Sequence, residues 1–193
     1  MASGILSRRN ALASSNCCRV STRVDARFPA VASVSSLVPE RNILVVQGNI
    51  SSSYAELGRY EEALRIEREV YARKSALFGR DKESTLVSAV NLASALVDNL
   101  RQFDEAKAFL RDRIPEAIRT LGKDHDITFR LQRMYAQCFY QNDGASREDV
   151  TAAVASLEDL NRRQTRIYGA SHPQTSATRD RLAEARKRLA ERK

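Results

Sequence analysis

Tryptophan is absent from this sequence, and its 193 residues include only 7 glycines, 4 prolines and 3 cysteines. So few turn formers, beside abundant Ala, Leu, Arg and Glu, exclude a fold built on many strands and tight turns and leave an all-α chain. Cys17 and Cys18 are adjacent and Cys138 stands alone, so the even, spaced framework of a disulfide-stapled secreted domain is excluded and a reducing, cytoplasmic setting is expected. No uninterrupted apolar run exceeds that of Ile43 to Val46, far below the roughly 18 to 20 residues of a membrane span.

Chemistry-bearing motifs are missing as well. There is no Gly-rich phosphate loop, no Gly-x-Ser-x-Gly elbow and no His-Glu-x-x-His sequence. Paired carboxylates (Glu61 and Glu62, Asp104 and Glu105, Glu158 and Asp159) are adjacent in sequence, and on a helix adjacent side chains point about 100° apart, unlike an acid and base flanking one bond. Cys138 has no Cys or His at helical spacing, so no metal site is expected. The sequence therefore implies neither catalytic residues nor a cofactor, metal or small-molecule substrate, and the protein is not expected to be an enzyme.

The charge is +8 overall, but its distribution matters more than its size. Residues 1–38 and 179–193 each carry a net +4, whereas residues 39–178 balance at zero. A nucleic-acid-binding domain would carry its excess on a formed surface, so that partner is disfavoured, and binding of nucleic acid or an anionic surface by the basic ends is the weakest of the alternatives. The N-terminal segment, residues 1–40, is rich in Ser, Ala, Val and Arg and poor in acid; over residues 1–38, Arg8, Arg9, Arg19, Arg23 and Arg27 are opposed only by Asp25. That bias fits a disordered segment or an organelle-targeting one, and the second reading would imply import in place of a cytoplasmic location.

The remainder repeats itself. Gly79, Gly122 and Gly169 are 43 and 47 residues apart, each follows a bulky residue (Phe78, Leu121, Tyr168), and each precedes a threonine by six residues (Thr85, Thr128, Thr175). The same offsets align Tyr60 with Phe103 and Val150, and Ala63 with Ala106 and Ala153; small residues align again at Ser51, Ala93, Ala136 and Ala183. Small residues on paired antiparallel helices let the backbones approach, and a glycine after a helical run supplies a left-handed cap. The columns predict first helices at 42–57, 84–99, 126–141 and 174–191, and second helices at 60–77, 103–120 and 147–167. His125 and His172 each stand three residues after a repeat glycine, where the first copy has Lys82, so they are read as linker features at helix starts. Pro115 is expected to kink its helix, because it lacks an amide donor and its ring clashes with the carbonyl four residues earlier. Asn142-Asp143-Gly144 predicts a longer loop.

Asn91-Leu92-Ala93, the turn Leu57-Gly58-Arg59-Tyr60-Glu61-Glu62-Ala63, and the linkers beginning Leu121-Gly122 and Tyr168-Gly169 resemble the roughly 42-residue tetratricopeptide repeats of kinesin light chains and their relatives. The resemblance covers residues 42 to 193 and implies a right-handed α-solenoid of about three helix hairpins, with repeats at about 42–78, 79–121 and 122–168 and a polar capping helix over 169–193. It further implies that first helices line a concave groove where Asn49 and Asn91 grip a peptide backbone. In the third hairpin Met134 takes that place, flanked by Arg130, Arg133, Gln137, Tyr140 and Gln141; this basic end suits an acidic or carboxylate-terminated peptide. The expected function is a protein-binding scaffold whose partner the sequence does not name. The alternative is a structural or self-associating module, or a fragment of a larger protein of this kind.

Overall fold

A computed structural model describes residues 39–192; the targeting and disorder readings of the first segment, with Cys17 and Cys18, lie outside the described residues. Among the described residues seven helices follow one another: α1 (Glu40–Glu56), α2 (Tyr60–Phe78), α3 (Glu83–Ser94), α4 (Phe103–Leu121), α5 (Asp126–Tyr140), α6 (Arg147–Tyr168) and α7 (Pro173–Glu191). Residues from Leu44 onward form one compact unit. The described residues contain no strand, and the fold is an all-α solenoid.

Each helix from α2 on packs against its successor, and the first helices of successive hairpins, α3 against α5 and α5 against α7, touch as well. This arrangement follows from the small-residue columns. Ala63, Ala106, Ala93 and Ala136 are buried, and Ser51, which shares the last two residues' column, is buried with its hydroxyl donating to the Ala63 carbonyl (3.0 Å). Ala183 departs from the pattern and is exposed, because no helix follows α7 among the described residues to cover it. Two apolar clusters result, one from α2 to α5 around Leu86, Leu96, Leu110 and Leu131, the other from α5 to α7 around Phe129, Tyr140, Leu157 and Leu182. Helix α5 contributes to both, so removing either face of it would sever the core.

The linkers are built alike. Gly79, Gly122 and Gly169 have φ of 94°, 94° and 87° with ψ of 151°, 158° and 161°. This corrects the expected left-handed helical cap: φ is positive, but ψ is extended, a region in which a Cβ clashes with the backbone and only glycine is at ease. Asparagine, tolerated in the left-handed helical region, is excluded here. His125 Nδ1 accepts from the Ile127 amide and His172 Nδ1 from the Gln174 amide, so both histidines cap the helices that follow. Thr128 Oγ1 donates to the Gly122 carbonyl (2.8 Å) and Thr85 Oγ1 to the Lys74 carbonyl (3.3 Å), while Thr175 is buried with its hydroxyl unpartnered.

Two local features differ from expectation. Helix α4 is continuous from Phe103 to Leu121, so the exposed Pro115 at most bends it and does not break it. The α3 helix ends in a π-helical turn, Ala95–Asn99, closed by the Leu100 amide on the Ala95 carbonyl (3.2 Å) and by Arg101 at φ 54°. The wider turn rotates Asp98 and Asn99 relative to a regular helix. The long loop is clasped from the other end of the chain: Arg192 donates to the carbonyls of Asn142 and Ala145, and Ser146 and Asp149 form a reciprocal capping box at the start of α6.

Candidate functional site

The side chains expected to line a groove on the first helices separate into two groups. In the third hairpin they bind one another. Gln137 Nε2 donates to Asp98 Oδ1 (2.8 Å) and Gln141 Oε1 (3.0 Å), and Gln141 Nε2 donates to Glu184 Oε1 (2.9 Å). Tyr140 OH donates to Glu184 Oε2 (3.3 Å), and Arg181 reaches Asp98 on one side and Glu184 on the other (3.4 and 3.6 Å). Arg133 Nη1 donates to Gln174 Oε1 (3.0 Å) and lies 3.4 Å from Thr178 Oγ1. One network thus joins the π-turn, α5 and α7.

Gln137 and Tyr140 are buried within that network and cannot serve as an open groove. Tyr140 also packs in the second apolar cluster, where burial and then the Glu184 charge drive its hydroxyl pKa well above the usual tyrosine value. The offset that aligns the glycines places Tyr140 opposite Val97, itself fully buried, so the sequence held this signal. Burial, followed by the neighbouring Arg130 and Arg181 charges, lowers the pKa of Arg133. Cys138 donates to the Met134 carbonyl (3.2 Å), and burial pushes its thiol up to about 12, so it packs as a small apolar residue.

Around the first two hairpins some polar groups are left unspent. A recess of about 150 Å³ opens between α1 and α3, over α2; Ser51, Ala63 and Glu67 form its base, and Asn91, Asn99 and Arg130 reach it from the first helices. The side chains of Asn91, Asn99 and Arg130 have no hydrogen-bond or ion-pair partner among the described residues. Asn49 is exposed on α1 and lies outside the recess. Glu67 is 4% exposed, and its Oε2 is buried without a partner. Burial is the main cause of its raised pKa, countered in part by Ser51 and the Lys74 charge; Ser51 offers Glu67 little, since its one proton is directed to the Ala63 carbonyl.

Sequence reasoning missed Glu67, although the repeat marks it. The column that aligns Ala63, Ala106 and Ala153 places Glu67 beside Leu110 and Leu157 four residues on, and both leucines are fully buried. A carboxylate therefore occupies a core leucine position.

A larger, apolar groove of about 680 Å³ lies between α4 and α6, floored by Tyr135, Ala136 and Phe139 of α5 and walled by Ile114, Pro115 and Ala152. The basic face of α7 is less open than its charge suggests. Arg181, Arg186 and Arg188 pair with carboxylates, and Arg192 binds backbone carbonyls. Among the described residues no cluster of His, Cys, Asp and Glu could hold a metal ion, and no helix is long and apolar enough to cross a membrane.

Residues 44–81 and 85–126 match the tetratricopeptide repeat family, a span that takes in the first two hairpins and ends as α5 begins. Two solved structures of kinesin-light-chain, nearly identical TPR-like repeats from Podosopora anserina share the fold. One is 24% identical, with a TM-score of 0.66, covering 77% of this chain and 67% of that one. The other, a single-substitution variant, is 20% identical, with a TM-score of 0.50, covering 80% and 90%. No curated protein matches the sequence. The repeat columns, the glycine linkers and these likenesses agree: residues 44–81 and 85–126 match tetratricopeptide repeats, and the described residues share the fold of the TPR-like solenoids.

Proposed function

We propose that this protein is a non-catalytic interaction scaffold that holds an extended segment of a partner protein against its first helices, over the recess between α1 and α3. The observation that carries this reading is the set of unpaired polar side chains there: Asn91, Asn99 and Arg130 have donors and acceptors to offer, whereas the corresponding groups of the third hairpin are bound to each other. An amide side chain can pair with both the N–H and C=O of an extended backbone, and Arg130 adds a cation for an acidic residue or a terminal carboxylate. The acidic preference rests on Arg130 alone, since Arg133 is committed to Gln174 and Thr178.

The test is affinity capture from the source cell with the full chain beside an Asn91→Ala, Arg130→Glu variant. Partners held by the parent and lost by the variant support the reading; identical sets of partners overturn it. Reversing Arg133 would be a poor control, because it would break the α5–α7 contact.

A self-associating role is favoured by a separate observation. Helix α1 exposes Val45, Val46 and Ile50 by 52%, 55% and 44%. Apolar residues so exposed on a solenoid helix favour a further helix or a second copy against them. Light scattering over rising concentration measures this directly; a constant monomeric mass, unchanged by Val46→Glu with Ile50→Glu, would eliminate it.

A further inference from the structure

We propose that the recess over Glu67 is a receptor for one basic side chain, a lysine or arginine of the bound segment, whose head group meets the Glu67 carboxylate. This rests on the peptide-binding reading above and adds to it the chemistry of one residue of the ligand.

Three independent observations lead to it. First, the position is a core leucine in the other two repeats, Leu110 and Leu157, and a leucine would fill the same space at no electrostatic cost. A buried carboxylate that lacks a cation or a full set of donors is costly, and the group it faces in the folded chain does not relieve it. Glu67 Oε2 has no partner, and Lys74, whose charge bears on it, makes no ion pair with it. Second, Glu67, although only 4% exposed, is one of the residues that line an open recess. At about 150 Å³ the recess exceeds by several-fold the roughly 30 Å³ share of one water, and it can take the end of a long side chain. Third, the remaining lining is of the type that satisfies a many-donor head group: the side-chain oxygens of Asn91, Asn99, Ser52 and Ser94 can all accept. Ammonium carries three donors and guanidinium five, and neither can be satisfied by a carboxylate alone.

Arg130 restricts the ligand further. Its cation stands on the rim and opposes a run of basic residues, so the sequence selected should hold a single Lys or Arg with an acidic neighbour placed to meet Arg130. The structure thereby assigns opposite charges to adjacent positions of the ligand: a basic residue inserted and an acidic one at the rim.

The experiment is selection from a phage-displayed library of random nine-residue peptides on the full chain, followed by titration of the selected peptides against the parent, Glu67→Leu and Arg130→Glu proteins. Glu67→Leu restores the residue of the other repeats, so it should fold, and circular dichroism checks that it does. A consensus with one Lys or Arg, bound about tenfold to a hundredfold more weakly by Glu67→Leu, is the expected result for a charge-assisted contact. Selected peptides that share no basic residue, or whose affinity is indifferent to Glu67→Leu, overturn the inference while leaving the peptide-binding reading intact. If no peptide is enriched above background on the parent protein, the peptide-binding reading itself fails and this inference falls with it.

Discussion

The first two hairpins and the third have the same scaffold and opposite surface chemistry. All three use alanine at the helix crossing and end in a glycine with extended ψ. Yet the third lies almost wholly outside the family match, carries Met134 where the others have Asn49 and Asn91, and consumes its polar side chains in a network from Asp98 to Glu184. The first two leave Asn91 and Asn99 open around an unpartnered carboxylate, with Arg130 of the third hairpin reaching the same recess. Repeat architecture thus separates two tasks: columns that set helix crossings admit few residue types, whereas neighbouring positions are free to be spent on internal order or kept for a ligand. One end of this array bonds its polar side chains to each other and the other leaves several of them unpaired.

The sharpest way to break that comparison is to exchange residues in one column. Leu157→Ala in the third repeat should cost about 2–5 kcal/mol in urea unfolding, as a buried leucine leaves a cavity in the α5–α7 cluster. Glu67→Leu in the first should be neutral or stabilising by about 1–3 kcal/mol, since a buried unpaired polar group gives way to the residue its column prefers. A large loss of stability from Glu67→Leu would mean that the carboxylate is satisfied in the folded chain, and the distinction between the two ends would collapse.

Next in size is the network. Gln137→Ala removes the donor shared by Asp98 and Gln141 and should cost about 1–3 kcal/mol, with faster amide exchange in α7. Asn91→Ala, which breaks no internal bond, should stay within about 0.5 kcal/mol of the parent. Equal effects from the two substitutions would show that the first-helix surface is uniform from end to end.

Much of this scaffold was legible in the sequence because its period is enforced by sterics. The helix bounds follow from where a small residue, an aromatic and a glycine must recur, and the observed ends fall within one or two residues of those expected except at α3, whose last five expected residues form the π-turn. The site was less legible. Arg133, Gln137, Tyr140 and Gln141 look like an open basic groove when read along α5 alone; what removes them is a set of partners on α7 and the π-turn more than 30 residues away, and long-range pairing has no local signature. Tyr140 and Glu67 differ in kind: both were marked by their columns, Tyr140 by Val97 and Glu67 by two leucines, so comparison between repeats was informative where reading within a helix was not. The extended ψ of the linker glycines and the π-turn depend on backbone packing that composition does not encode.

A smaller effect, in pH, bears on the open end alone. The folded chain holds the Glu67 proton more tightly than the unfolded one, so the stability linked to this group is fully present below the ordinary carboxylate value of 4.5 and declines as pH rises through its raised folded value. Glu67→Gln abolishes that decline. The stability difference between Glu67→Gln and the parent should therefore shift in the variant's favour as pH rises above 4.5, measured by urea midpoints across the series. Glu62, whose pKa the Arg59 hydrogen bond lowers, has the opposite slope but is common to both proteins and cancels in the difference.

The smallest expected effect concerns the ion pairs on the outer surface, which are similar at both ends. Arg68 of α2 donates to both carboxylate oxygens of Glu105 of α4 (2.7 and 2.8 Å), and Arg186 of α7 donates to Glu158 of α6 (2.7 Å). In each pair both side chains are about half exposed, so water and salt screen the attraction and the ordering of two long side chains offsets much of it. Arg68→Ala and Arg186→Ala should each cost less than about 1 kcal/mol, and the cost should shrink as salt is added. If either matched the loss from Gln137→Ala, the outer pairs would be holding the hairpins together. The contrast between the two ends would then lie in their electrostatics on both faces, not in how the first-helix side chains are spent.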